Sequence, residues 1–231
     1  MSTLAQHLSA SLDIRCGYRI AEVVRKGNDW RLVAEDGSTV AEADLVVVAV
    51  PPPQAHSLLS GSPDLACRAA AASLAPCWAV MLGFDEPLSL PFDGAFIDGG
   101  PLAWIARDRS KPGREGSETW VLHASPSWSR EHLEADRGAV SEDLLRAFRL
   151  AAGRKAPQPA YAAAHRWRYA RVEASLEKAC LYDPNLRIGA CGDWCLGGKI
   201  EAAFLSGRAM AQRIAENLGS VAPANPLDHK E

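Results

Sequence analysis

The chain has 231 residues, enough to bury a sizeable core in one large domain or two small ones. Its 48% apolar and 23% charged residues are ordinary for a globular protein, and a net charge of -3 argues against a general nucleic-acid binder. No apolar run approaches the roughly 18 residues of a membrane helix, and MSTLAQHLSA lacks the basic head and apolar core of a signal peptide, so a cytoplasmic protein with no membrane partner is expected.

Leu4, Leu8 and Leu12 space like one helix face, with Ser2 and Thr3 as candidate caps. IRCGYRIAEVVRK, NDWRLVAEDG and STVAEADLVVVAV then read as an antiparallel meander, with a hairpin turn at Asp36 and Gly37. The end of the last run, 45–50, is apolar on both faces and belongs in a covered, parallel sheet. Pro51, Pro52 and Pro53 stop it. Residues 54–59 start a helix, and an Ala-rich helix is predicted over 64–73.

Between 76 and 167 the texture changes. CWAVMLGFD, GAFIDG, LAWIARD and TWVLHAS read as short strands, separated by loops at Pro87, Gly99, Gly100 and Lys111 to Gly113. Helices are predicted over 127–133 and 141–151, the second capped by Ser141, and a further strand over 161–169. An antiparallel sheet with helices against it makes a second domain. The domains are therefore 1–75 with 168–231, and 76–167, interleaved; loops between them are where a cleft is expected.

The second domain holds Trp78, Trp104, Trp120, Trp128 and Trp167. Trp78 and Trp120 are expected in the core. Trp104 and Trp167, with Trp194 further on, are candidates for an apolar wall over a planar substrate, core packing being the alternative. His165 and Arg166 point to opposite faces of one strand. His165 is a candidate contact for a substrate phosphate or carbonyl, although a lone strand histidine is more often structural. Lys111 and Arg114 lie in the loop SKPGRE, where solvated charges are the plain reading.

The segment LRIGACGDWCLGGKIEAAFLSGRAMAQRIAENL, 186–218, reads as a strand over 186–190, a small-residue turn and a long helix. Ile200, Ala203, Phe204, Met210, Ala211, Ile214 and Leu218 recur at the helical period. Gly197 and Gly198 precede the helix, and Gly219 stands where a C-terminal cap belongs. Ala202, Ala203, Ser206 and Gly207 leave one side of the first turns nearly bare. The unpaired N–H groups of a helix start attract electron-rich groups. A flavin suits that end, because reduction builds negative charge around its N1 and C2 carbonyl. Asp193 would accept hydrogen bonds from ribityl hydroxyls. A strand-turn-helix that only packs is the alternative.

The six cysteines (Cys16, Cys67, Cys77, Cys180, Cys191 and Cys195) show no C-x-x-C pair and read as reduced thiols. Cys191 and Cys195 flank the turn without a nearby histidine, so no metal site is expected. No Ser-His-Asp or Cys-His arrangement is visible, and no catalytic side chain is assigned.

GDWCLGGKIEAAFLSGRAMA resembles the C-terminal flavin-binding motif of the FAD-dependent amine oxidase superfamily. So does a meander feeding a buried strand that ends in AVPP. The resemblance implies a mixed α/β fold: a partial FAD-binding Rossmann-like domain interleaved with an antiparallel-sheet substrate domain. It implies that Gly192 and Asp193 meet the ribityl–phosphate arm, and that the backbone of Gly198, Lys199, Ile200 and Glu201 faces the isoalloxazine. Ile200 N–H would lie nearest the C2 carbonyl. It further implies that Ile20 offers its backbone to the adenine and that the Pro51 loop lies near the dinucleotide.

Trp194 after the Asp, together with LAWIARDRSKPGR and WVLHASPSWS, is most similar to the bacterial renalase-like branch. That branch implies an oxidoreductase moving hydride from a reduced NAD(P)-like substrate to FAD, with dioxygen as acceptor; amines are the substrates of the wider superfamily. The chain contains no G-x-G-x-x-G, the loop that cradles the pyrophosphate in such folds. A missing N-terminal segment or polypeptide is therefore expected. Strands 45–50 and 186–190 should each lack a neighbour, apolar sheet surface should be exposed, and FAD binding by the isolated chain should be weak or nil. The alternatives are a non-catalytic remnant, one half of a split flavoenzyme, or a carotenoid- or porphyrinogen-type oxidase. The last is disfavoured by a substrate domain of only about 90 residues.

Overall fold

The computed structural model describes residues 2–114, 116–153 and 156–220. Helix α1 (Ser2–Leu8) leads to β1 (Ile20–Lys26), β2 (Asp29–Ala34), β3 (Thr39–Ala43) and β4 (Val46–Val48), then to α2 (Pro52–Leu58) and α3 (Pro63–Ala69). Next come β5 (Ser73–Phe84), β6 (Gly94–Phe96), β7 (Leu102–Arg107) and β8 (Glu118–Ala124). Helices α4 (Pro126–Glu131) and α5 (Arg137–Ala151) precede β9 (Tyr161–Ala174). The chain ends with β10 (Leu181–Asp183), β11 (Ile188–Ala190), α6 (Asp193–Leu196) and α7 (Ile200–Ser220). This is a mixed α/β fold in two compact units, one formed by Met1–Ala72 with Ser175–Glu231, the other by Ser73–Ala174.

The first unit holds two small sheets. β1, β2 and β3 form the antiparallel meander, turning at Gly37, where the Asp36 carboxylate accepts from Ser38 N–H. Trp30 of β2 is fully buried and donates Nε1–H to the Leu186 carbonyl at 2.8 Å, which also accepts from Arg25. The second sheet has the order β10-β11-β4, with β11 parallel to β4 and antiparallel to β10. Strand 186–190 therefore does not lack a neighbour: as β11 it is the central strand, paired on both sides. β4 has β11 alone among the described residues. The hairpin strand β10 carries no alternation in LYD and is absent from the sequence reading for that reason.

Helix α7 covers one face of this sheet. Gly189 of β11 is what allows the contact. A Cβ there would sit 2.6 Å from Met210 Cε and 2.7 Å from the Leu181 carbonyl oxygen. The buried Ser206 hydroxyl donates to the Ala179 carbonyl (2.6 Å) and accepts from Gly192 N–H (3.0 Å). Ala202, Ser206 and Met210 thus face inward, while Ala203 and Gly207 do not. The four small residues do not share one bare side. Nor does the apolar period mark a single face: Met210 is buried, whereas Ile200, Phe204 and Leu218 are exposed. The helix runs through Gly219 to Ser220 rather than ending at a glycine cap.

The second unit is a five-stranded antiparallel sheet, order β6-β7-β8-β5-β9. α5 packs on one face, where Trp78, Val80, Leu82, Trp120, Leu122, Leu144 and Phe148 form the core. Trp78 and Trp120 are buried, as alternation along β5 and β8 predicts. Asp136, not Ser141, caps α5, its carboxylate accepting from Gly138 N–H and Ala139 N–H. At the strand end, buried Glu118 accepts from Trp120 Nε1–H at 2.8 Å.

Gly189→Ala is expected to destabilise the protein by about 1–3 kcal/mol, because the Leu181 carbonyl has no rotamer to move to. Ser206→Ala strands a half-buried donor and a half-buried acceptor, at a cost of about 1 kcal/mol or more. Urea denaturation of each variant measures both; midpoints equal to the parent's would contradict them.

Candidate functional site

The turn between β11 and α7 is where the candidate cofactor residues gather. Gly192 sits against the Trp194 indole, where a Cβ would lie 2.4 Å from Nε1. Asp193 opens the single-turn helix α6 and is half-buried. Among the described residues its carboxylate has no hydrogen-bond or ion partner. Gly197 follows at φ 127° and ψ 146°, a region essentially open to glycine alone. Gly198, Lys199, Ile200 and Glu201 are all exposed, Ile200 at 55%. No acceptor among the described residues satisfies the N–H groups of Ile200 and Glu201 at the start of α7.

Trp194 is a correction to the sequence reading. It is 2% exposed and donates Nε1–H to the Val50 carbonyl at 3.1 Å, so it braces the turn from inside and lines no open wall. The same bond brings Pro51 beside the turn. Pro51 precedes α2, and its carbonyl accepts from Gln54 N–H and Ala55 N–H. Ile20 is half-buried at the start of β1, the outer strand of the meander, which packs against α2. Val50, next to Pro51, is joined to the Gly192–Asp193 turn by the Trp194 bond, and residues 198–201 follow that turn in the chain; Ile20 lies on the meander.

These residues fit a flavin. An exposed helix start with unsatisfied N–H groups suits the electron-rich edge of a reduced ring. A half-buried carboxylate without a partner suits sugar-alcohol hydroxyls. Beneath the turn, burial pushes the Cys195 thiol up to about 11, which leaves it un-ionised. No group of three metal-ligating side chains stands close enough to hold an ion among the described residues.

In the second unit, the sheet face away from α5 carries the other candidates. Phe96, Trp104, His123, Ala79 and His165 stand in one row across all five strands. A register shift in β7 between Leu102 and Trp104 turns Leu102 into the core and Trp104 to the open side. Trp104 lies 4.5 Å from Phe96, ring centroid to centroid, and His165 packs edge-on against Trp167 at 4.4 Å. Phe96 is 84% exposed and Trp167 55%. His123 is held below the usual imidazole range, first by burial and then by nearby Lys111. Lys111 and Arg114 both pair with Asp108. Phe96 and His123 escaped the sequence reading, because only cross-strand register aligns them with Trp104 and His165. The alternation of His123 with Leu122 and Trp120 was the available signal.

No helix among the described residues is long and apolar enough to cross a membrane. Three solved structures share the fold at low identity. One is a protein assigned as a protoporphyrinogen oxidase of Exiguobacterium sp. 255-15 (TM-score 0.72, 18% identity, 94% of this chain and 51% of that one). Another is a putrescine oxidase redesigned in its cofactor binding (0.67, 15%, 93% and 52%). The third is cyclohexylamine oxidase of Brevibacterium oxydans IH-35A (0.61, 16%, 87% and 49%). The chain thus spans about half the length of each. The family model described as flavin containing amine oxidoreductase matches residues 1–215, which takes in the meander, the sheet of the second unit and the turn before α7. With that match over nearly the whole chain, the protein belongs to the flavin-containing amine oxidoreductase family.

Proposed function

We propose that this chain is part of a renalase-like, FAD-dependent oxidoreductase of the cytoplasm. It would transfer hydride from a reduced NAD(P)-like or amine substrate to the flavin, with dioxygen as acceptor. The observation that carries the reading is the turn at Asp193: an unpartnered, half-buried carboxylate beside an exposed helix start. Bound there, the flavin supplies the electron-accepting ring, and the chain supplies position and field. Asp193 holds the ribityl arm, Gly192 and Gly198 keep the backbone close, and the N–H groups of Ile200 and Glu201, with Lys199, face the ring edge. Such a helix start favours the reduced, anionic ring by about 1 kcal/mol, more where water is excluded. Ile20 and Pro51 serve the adenine and dinucleotide. Trp104, His165 and Trp167 form the substrate wall.

A second reading is one half of a split or longer flavoenzyme, and two observations favour it. β4 has a free edge among the described residues, with Val47 38% exposed. α7 carries an apolar stripe, Ile200, Phe204 and Leu218, facing solvent. A segment carrying the glycine-rich phosphate loop would cover both. No nucleic-acid or membrane partner is part of either reading.

Asp193→Ala is expected to weaken FAD binding roughly tenfold without changing the fold. Flavin fluorescence titration, with far-ultraviolet circular dichroism as the control, measures this on the chain alone and with a glycine-rich N-terminal segment added. Absence of saturable flavin binding in both would remove the proposal; binding only in the mixture would select the second reading. Trp167→Ala is expected to raise KM for a planar nicotinamide substrate by roughly threefold to tenfold, with KM for an aliphatic amine unchanged. Equal effects on both substrates would take Trp167 out of the wall.

A further inference from the structure

Three cysteines gather beneath the flavin-side turn, and the proposed function uses none of them. β10 and β11 pair with Tyr182 opposite Gly189 and Leu181 opposite Ala190. Continued by one residue, the same register sets Cys180 opposite Cys191, and the two act on each other electrostatically. Directly opposed residues of an antiparallel pair have Cα atoms about 4.5–5.5 Å apart. A disulfide spans Cα separations of about 4.4–6.8 Å. Alternation puts both thiols on the face shared by Tyr182 and Gly189, the face that α7 covers. Both are buried, both are unpaired, and both pack with Met210 in one cluster.

We infer that Cys180 and Cys191 are a modification site: a cross-strand dithiol that a small neutral hydroperoxide closes to a disulfide at the entrance to the Gly192–Asp193 turn. In the first step the sulfur of one cysteine attacks a peroxide oxygen and the O–O bond breaks. The leaving hydroxide takes the thiol proton as water, and a sulfenic acid remains. The second thiol then attacks that sulfur, the S–O bond breaks and a second water leaves. Two thiols are oxidised by two electrons and one peroxide is reduced to two waters. Burial raises the Cys180 thiol and the charge of Arg213 offsets part of that rise, which favours Cys180 as the attacking group. Cys191 has only burial and its neighbour Cys180 acting on it, and both raise it. The bond would close 180–191 into a loop and fix the strand end that positions Gly192. The inference stands whether or not the flavin reading holds, since it needs only the β10–β11 register and an added peroxide.

Cys195 is the competitor. It is buried in α6, bonds with Ser206 and lies near both other thiols. Trypsin separates the outcomes, because Cys180 falls in peptide 179–187 while Cys191 and Cys195 share 188–199. The folded 231-residue protein is treated with hydrogen peroxide, remaining thiols are alkylated, and the digest is analysed by mass spectrometry. The expected product is 179–187 joined to 188–199 through a dithiothreitol-sensitive bond, with Cys195 alkylated. The bond should persist in Cys195→Ser and vanish in Cys180→Ser, and the parent's Tm should rise on oxidation. A loop within 188–199, singly over-oxidised cysteines, or three alkylated thiols after exposed Cys16 and Cys67 have been consumed would each overturn it.

Discussion

The hydroxyl of Ser206 holds both ends of the 179–192 hairpin to the long helix, from a position with no solvent access. It donates to the carbonyl that leads into β10 and accepts from the N–H that leaves β11. One turn further along α7, Met210 fills the space that Gly189 leaves open. With the hairpin fixed, β11 becomes the strand on which β4 is hung, and Cys191 N–H continues the pairing to the Val48 carbonyl. Trp194 then fastens the start of α2 through Val50. The placement of Asp193 and of the α7 start is therefore set by backbone and buried bonds. Positioning of this kind favours a site that stabilises charge without reorganising.

The second unit solves a different problem with one sheet. Its two faces are chemically unlike: Trp78, Trp120 and Phe148 are sealed under α5, while Phe96, Trp104, His165 and Trp167 lie on the other side. The bulge in β7 is what permits this, since without it Trp104 would share the face of Leu102. Aromatic rings left on an open sheet face are costly in water, and a contiguous exposed apolar surface marks a place where something binds.

The meander, the strands of the second unit and the long helix were legible because each has a local period of two or 3.6 residues, and the strand before the prolines because it is an unbroken apolar run ended by Pro51. What was not legible depended on partners distant in sequence. The single turn of α6 and the burial of Trp194 follow from a bond to Val50, which no pattern in GDWCLGG announces. Ser206 reads as one small residue among several; its hydroxyl matters only once Ala179 and Gly192 are beside it. Asp136 and Ser141 are both acceptable caps, and Asp136 takes the role, its Oδ1 accepting from both Gly138 N–H and Ala139 N–H. For the candidate site, the glycine–aspartate turn was visible in sequence, whereas the row from Phe96 to His165 needed the register.

Helix α7 carries more apolar residues than one partner can use. Ala202, Met210 and the half-buried Ile214 face the sheet, while Ile200, Phe204 and Leu218 face water at 53–55% exposure. The polar residues Glu201, Arg208, Gln212 and Glu216 take the rest of the circumference, so the apolar surface is wider than the face the sheet covers. Full burial of a large apolar side chain favours association by about 1.5–3 kcal/mol relative to leaving it exposed. Ile200 is also the first residue of the helix, where the unsatisfied N–H groups stand. Whatever covers the stripe would therefore also dry the helix start, and removing water strengthens the field of those N–H groups on a bound anion. Covering the helix and binding an electron-rich ring are thus coupled by one dielectric effect at one residue.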